Sequence, residues 1–365
     1  LLTRTTLNRL AHVSLDRLHV KFVANMMFKR VQALCVSRML LPNVSQEVAE
    51  EIVLKDQNSE KYKYIMDGLH EGKRYLVGGF GTGKTHALLI LCSKILFDYM
   101  NGFSGNMALY LHARDVVKAG SIEEATKSYF KEKRDNLLVI DGLDEINYEY
   151  AKQIIQEERF LSITDPDFKI LIGTRPMTYL PDESKQINVR DLSFEEQKQL
   201  VETINSNSEL NFTRYTVPDR LRAAMTKPLF CIIYAVMQNG GITNIKSEID
   251  LLTVFIENAT KDVIEGDEAI RQDLISLAVA IVNNDFNEIH ISNIHLSHSL
   301  DTLLKSGLVS TQGDFLNFSL AIVAQYFAAC SLQEGSVKIE YVLSSIDLLE
   351  CWKTSLAILF SKMTF

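Results

Sequence analysis

The sequence predicts an α/β domain in its first half, a parallel sheet sandwiched by helices, followed by a mostly helical second half. Three observations predict it. Runs that are apolar throughout, such as Leu137 to Ile140 and Ile170 to Ile172, are expected of strands buried on both faces of a parallel sheet. These runs alternate with helical stretches, the pattern of repeated strand–helix units. A glycine-rich turn, Gly78-Gly79-Phe80-Gly81-Thr82-Gly83-Lys84-Thr85, separates the first expected strand from the helix after it.

Taken in order, residues 1–57 read as an N-terminal helical region or linker. Leu15, Leu18, Phe22 and Met26 form one apolar stripe at helical spacing, and Val23, Met27, Val31 and Leu34 form a second. Leu41-Pro42-Asn43 interrupts the pattern, and a further helix is expected from Gln46 to Leu54. Residues 1–40 carry seven basic residues and one acid, a net of +6, so the remainder carries −14 of the total of −8. A basic and apolar helix of this kind packs with a solvated face, or else meets an acidic partner, nucleic acid or a membrane surface. It also has the acid-poor, Arg-rich character of an organellar targeting segment. The acidic remainder argues against non-specific nucleic-acid binding by the core.

Residues 58–190 form the α/β domain. Arg74 to Val77 is a short strand, and Ala87 to Leu91 opens an apolar helix after the glycine-rich turn. Strand, glycine turn and helix in this order gather backbone N–H groups and a helix N-terminus around one anion. Glycine is needed there because a Cβ blocks close approach to a phosphate and disfavours the required φ values. Gly78 to Lys84, with Thr85 and His86 beginning the helix, are therefore the candidate nucleotide-binding residues. Lys84 reaches the β- and γ-phosphates and Thr85 ligates Mg²⁺ in such a turn. Asp141, closing the apolar run from Leu137, lies where open α/β sheets bind ligands and is the second candidate metal ligand. Asp144 and Glu145 follow, placed to orient or deprotonate a water, or else forming a solvated acidic turn. Arg175 ends the next strand, in reach of a γ-phosphate or paired with a carboxylate. Lys84, Asp141, Asp144, Glu145 and Arg175 are the candidate catalytic residues.

Ser193 is an N-cap candidate with Glu196 three residues on, a capping box opening a helical region over 191–248. Within it, Lys227-Pro228-Leu229-Phe230 opens an apolar helix, and proline is favourable at a first helical position. In 249–335 a hairpin is expected from Leu308 to Phe318 around Gly313. Residues 336–365 read as the start of a further helical region.

Together Gly78 to Thr85, Asp141-Gly142-Leu143-Asp144-Glu145 and Gly173-Thr174-Arg175-Pro176 resemble the NACHT branch of the STAND P-loop ATPases, switches of innate immunity and anti-phage defence. Gly142 after the first acid is the discriminating detail, since AAA+ ATPases usually carry adjacent Asp-Glu. Tyr110 to Val116 resembles the family's second strand, which ends in an Arg-Asp pair, here Arg114 and Asp115. Lys227 to Phe230 resembles its helical domain, which implies that Pro228 lies near the adenine. Ser306 to Val309 and Phe318 to Ala329 resemble its winged-helix end. The resemblance spans about 70–335. It implies an α/β P-loop NTPase followed by helical (191–248) and winged-helix (249–335) domains. It further implies ATP or ADP with Mg²⁺, slow hydrolysis, and self-association into an oligomer on activation. The effector and sensor domains would lie outside this segment. Leu320 stands where many members have a histidine that contacts ADP, and leucine donates no hydrogen bond. The rival readings are a steady-turnover AAA+ motor, with Arg114, Arg134 or Arg220 as its finger, and a non-catalytic nucleotide-bound scaffold.

Five widely spaced cysteines, without Cys-x-x-Cys or His clusters, argue against a zinc site and a disulfide framework and fit a reducing, cytoplasmic setting. An apolar content of 47% and a mean hydropathy of +0.02 fit a globular chain. The longest apolar candidate, Leu274 to Val282, is short of a membrane span, and no signal peptide is expected. A chain without an initiator Met is expected to be a piece of a longer protein.

Overall fold

The computed structural model describes residues 23–35, 46–79, 81–130, 136–205, 217, 219–239, 250–256, 268–284, 289–297, 300–305, 308–312, 314–318 and 321–363. They fall into two compact units, with the break after Arg190. The first unit holds 23–35 and Ala49–Arg190, while 46–48 and the residues from Asp191 onward group in the second.

The first unit begins with helix α1 (23–35) and with the part of α2 (Gln46–Gln57) from Ala49 onward. Of the two N-terminal stripes, the second faces inward: Met27 and Val31 are buried, whereas Met26 of the first is 51% exposed. Leu15, Leu18 and Phe22 lie outside the described residues. Helix α3 (Lys63–His70) leads into β1 (Tyr75–Val77), which is followed by α4 (Lys84–Met100). Then come β2 (Ala108–His112), α5 (Ala113–Ala119), α6 (Ile122–Thr126), β3 (Leu137–Asp141), α7 (Tyr148–Thr164), β4 (Lys169–Thr174) and β5 (Gln186–Asn188). The α1 and α2 helices are pinned to α4: buried Ser93 Oγ accepts from Gln32 Nε2 at 2.7 Å and from Gln57 Nε2 at 2.9 Å.

All four strand pairings are parallel, and the order across the sheet is β2-β3-β4-β1-β5. The residues of β1 and β3 are buried without exception, as the apolar runs require. The consequential feature is β4. It lies between β1 and β3, pairing Val77 with Thr174 on one side and Asp141 with Gly173 on the other. Chain order alone does not place it there.

In the second unit the capping box forms: Ser193 N donates to Glu196 Oε2 at 2.8 Å and Glu196 N to Ser193 Oγ at 3.3 Å. It starts α8 (Phe194–Asn205), which packs against α10 (Pro228–Asn239), with α9 (Arg222–Met225) before it. After α11 (250–256) come α12 (Glu268–Asn283), β6 (Ile289–His290) and α13 (Leu300–Lys305). The expected hairpin is present as β7 (Val309–Gln312) and β8 (Phe315–Phe318), paired antiparallel from Val309–Phe318 to Gln312–Phe315. Gly313 itself lies outside the described residues. Strand β6 adds to β8. Then α14 (Ala321–Glu334), α15 (Ile339–Val342) and α16 (Ile346–Met363) close the unit.

Residues 336–363 lie in the second unit. Helix α16 lies on α14 and α12 and buries Trp352 completely, and Trp352 Nε1 donates to Asn283 Oδ1 at 2.9 Å. Buried Gln325 bridges α14 to α16 through Cys351 O and the Ser355 hydroxyl. None of the five cysteines forms a disulfide, and burial pushes the Cys35 thiol up to about 12, with the Asp56 charge adding to the shift. Among the described residues no helix is long and apolar enough to cross a membrane.

Candidate functional site

The C-terminal ends of β1, β4 and β3 lie side by side in the first unit, and the candidate residues follow directly from them. Gly78 N is bonded to Thr174 O at 3.2 Å, which ties the glycine turn to the end of β4. A Cβ on Gly78 would meet Thr82 Oγ1 at 2.7 Å and Val189 Cγ2 at 2.9 Å, so this position accepts only glycine without a shift. Gly81 and Gly83 have φ of 73° and 83°, the left-handed region that a side chain disfavours. Thr82 Oγ1 closes the turn by donating to Gly79 O at 2.9 Å. Phe80 lies outside the described residues.

Gly83 is the N-cap of α4, and Ala87 is bonded back to Gly83 O. The amides of Lys84, Thr85 and His86 therefore belong to the first turn, where an α-helix has no acceptor of its own to offer. This is an anion-binding geometry built from backbone. Lys84 Nζ donates to Gly78 O at 2.6 Å and to Gly79 O at 3.1 Å, arching over the turn. Burial lowers its pKa, Arg175 adds to the lowering, and Asp144, Asp141 and Glu145 oppose it. The charges of Asp144, Arg175, Asp141 and Glu145 thus all act on Lys84.

Asp141 is 4% exposed at the end of β3. Its Oδ2 accepts from Tyr110 Oη at 2.9 Å. Its Oδ1 lies over Gly173, where a Cβ would come within 2.7 Å. Gly142 turns the chain sharply with φ 80°, and the carboxylates of Asp144 and Glu145 then each meet an arginine. Arg175 reaches Asp144 twice, Nε to Oδ2 at 3.0 Å and backbone N to Oδ1 at 3.0 Å. Burial raises the Asp144 pKa against the pull of that arginine. Arg114 Nη2 donates to Glu145 Oε2 at 3.1 Å.

One expectation is corrected here. The second strand ends at His112, and Arg114 and Asp115 lie in the first turn of α5, where they do not pair with one another. Asp115 instead closes onto its own helix start, accepting from His112 N at 3.3 Å. The His86 side chain is 7% exposed, with Nε2 2.7 Å from Asp56 Oδ2 on α2. Its backbone amide lies in the first turn. Pro228 is the first residue of α10 in the second unit. Leu320 and Arg134 lie outside the described residues.

The residues that sequence reasoning missed are Asp56, Tyr110 and Gly173 as an individual position. Tyr110 carries a signal in hindsight, because a tyrosine in a strand buried on both faces must find its hydroxyl a partner. Tyr110 pairs with Val139, and Asp141 is two residues further along the same face of β3. Asp56 gives a pH prediction. Burial acts to raise its pKa, but the hydrogen bond and charge of His86, with Lys61, outweigh burial and hold it below the ordinary carboxylate value. A depressed carboxyl stabilises the fold above its unfolded pKa and loses that contribution as pH falls through the folded value. The stability gap between the wild type and Asp56→Asn is therefore expected to be full at neutral pH and to shrink below about pH 4, measured by urea unfolding across pH.

The residues present suit a nucleotide and Mg²⁺: the turn and first-turn amides suit phosphates, and Thr85 and Asp141 offer oxygen to a hard cation. Among the described residues no group of three or more His, Cys, Asp or Glu side chains is arranged to hold a metal ion unaided. No protein-family model and no curated protein matches the chain. Among solved structures the chain is similar to a Walker-type ATPase of Pyrococcus abyssi, with 11% identity over 74% of this chain and 95% of that one, at a TM-score of 0.32. It is similar to a point mutant of RuvB from Thermotoga maritima (14% identity, 77% and 95% covered, TM-score 0.32). It is also similar to a replication initiator DnaA bound to AMPPCP and single-stranded DNA (14% identity, 83% and 87% covered, TM-score 0.33). The parallel sheet order and the positions of the glycine turn, Asp141 and Arg175 on it make the first unit a P-loop NTPase fold.

Proposed function

We propose that this chain is a nucleotide-dependent signalling switch of the STAND/NACHT type, which binds ATP with Mg²⁺, hydrolyses it slowly and self-associates on activation. The observation that carries this reading is the engagement of both downstream acids by arginines, Asp144 with Arg175 and Glu145 with Arg114. An arginine on each carboxylate stabilises its charged form and so makes it a weaker base toward water. That supports slow turnover over a steadily cycling motor. A switch needs no more, because the nucleotide acts as a differential ligand of two states.

In this reading the amides of the glycine turn and of Lys84 to His86 hold the phosphates, and Lys84 contributes its charge. Thr85 and Asp141 hold Mg²⁺, which supplies neutralisation of phosphate charge when bound. Arg175 senses the γ-phosphate. The Asp-Gly-Leu-Asp-Glu form at 141–145 supports the NACHT branch, and with it a cytoplasmic role in innate immune or anti-phage defence, with sensor and effector outside this segment.

The test is the nucleotide released on heat denaturation, together with the mass of the native protein with and without ATP. Wild type is expected to release near-stoichiometric nucleotide and to enlarge with ATP. Lys84→Ala is expected to lose nucleotide affinity by at least about tenfold, the loss of about 1.4 kcal/mol or more for a charge-assisted contact, and to stay small. If Lys84→Ala assembled as the wild type does, the switch reading would be wrong.

A further inference from the structure

A carboxylate at the end of a strand is ordinarily free to turn, since its last torsion is broad and roughly two-fold. Asp141 is not. One oxygen, Oδ2, is taken by the Tyr110 hydroxyl at 2.9 Å, and both side chains are buried. The other, Oδ1, lies over Gly173 on β4, in space that a Cβ would fill. Because β4 separates β3 from β1, this second oxygen is directed across the sheet toward the strand that carries the glycine turn. Tyr110 is itself held: it is 5% exposed, its strand is paired to β3 in register, and its ring stands edge-on to His112 at 5.3 Å.

We propose that Tyr110 is a positioning residue for the metal side of the site, its hydroxyl occupying Asp141 Oδ2 so that Oδ1 is presented over Gly173 toward the P-loop. The inference rests on the reading that the site binds a Mg²⁺-nucleotide. It assigns to β2, the sheet edge farthest from β5, a part in ordering the first acid of the site. Tyr110 touches neither nucleotide nor metal in this role. It acts through Asp141.

The experiment compares Tyr110→Phe with wild type and with Tyr75→Phe. Tyr75 is the useful control, since it also donates to a buried carboxylate, Glu158 Oε2 at 2.7 Å, and its loss reports the general cost of removing such a hydroxyl. A fluorescent ATP analogue is titrated in EDTA and then at rising Mg²⁺, alongside thermal unfolding of each variant. Tyr110→Phe is expected to bind the analogue in EDTA as wild type does, while the Mg²⁺ concentration for half-maximal effect rises about tenfold, the usual scale for an outer-shell partner of a ligand. Tyr75→Phe is expected to share any loss of melting temperature but not the Mg²⁺ shift. Superimposable Mg²⁺ titrations of Tyr110→Phe and wild type would overturn Tyr110's role alone. A wild type that bound no nucleotide under either condition would overturn the Mg²⁺-nucleotide reading, and this proposal with it.

Discussion

Gly173→Ala is expected to destabilise the first unit by about 1–3 kcal/mol, the usual cost of overpacking a filled interior. The added Cβ would lie 2.5 Å from Leu88 Cδ1 and 2.7 Å from Asp141 Oδ1. Neither neighbour yields easily. Leu88 is fully buried on α4, the helix that follows the glycine turn, and Asp141 is held from behind by Tyr110. Position 173 is also interior to a strand paired on both sides, so β4 has little room to withdraw. The substitution is expected to cost function as well as stability, because the atom it displaces is the oxygen turned toward the P-loop. Urea unfolding followed by far-UV circular dichroism reads the first effect, and nucleotide binding at rising Mg²⁺ reads the second. A stable Gly173→Ala protein with unchanged Mg²⁺ dependence would show that the Asp141 carboxylate is not confined as described.

Trp352→Ala is expected to cost about 3–5 kcal/mol in the second unit, the range for deleting a buried large aromatic side chain. Trp352 is the largest fully buried side chain among the described residues, and it locks α16 onto α12 by donating to Asn283. Truncation leaves a cavity and removes the donor to Asn283, and because the Asn283 side chain is exposed and water can replace that donor, the cavity carries most of the cost. Trp352→Phe separates the two, keeping most of the volume while losing the donor, and is expected to fall well short of the alanine variant. Because Trp352 is the chain's single tryptophan, wild-type fluorescence reports unfolding of the second unit, and the variants must be followed by circular dichroism instead. An alanine variant within about 1 kcal/mol of wild type would mean that α16 is not held by this side chain.

Much of the local structure is legible in the residues themselves. Apolar runs free of polar interruption specify strands covered on both faces, and β1 and β3 are buried throughout. Ser193 and Glu196 stand at the spacing that a capping box needs, and the box forms. The turn residues around 313 announce a hairpin whose register is then local. The glycine turn, with strand before and helix after, needs only neighbours in the chain to adopt its shape.

Which distant groups meet is a matter of packing. Parallel strands are joined through helices, so nothing in their composition states their order, and the place of β4 between β1 and β3 is set by how the helices and strands fit together. That single placement sets Gly173 under Asp141 and brings Arg175 to Asp144. The choice of ion pairs is equally remote from sequence. Arg114 adjoins Asp115 in the chain but meets Glu145 in space, because a helix begins at Ala113 and turns the two side chains apart. His86 follows the phosphate turn yet faces Asp56, since the helix carries it inward to α2. Periodicity, capping spacing and glycine placement thus dictate the elements and the phosphate turn, because these are short-range properties of the chain. The neighbours of each carboxylate follow from strand order and helix packing, which join residues far apart in it.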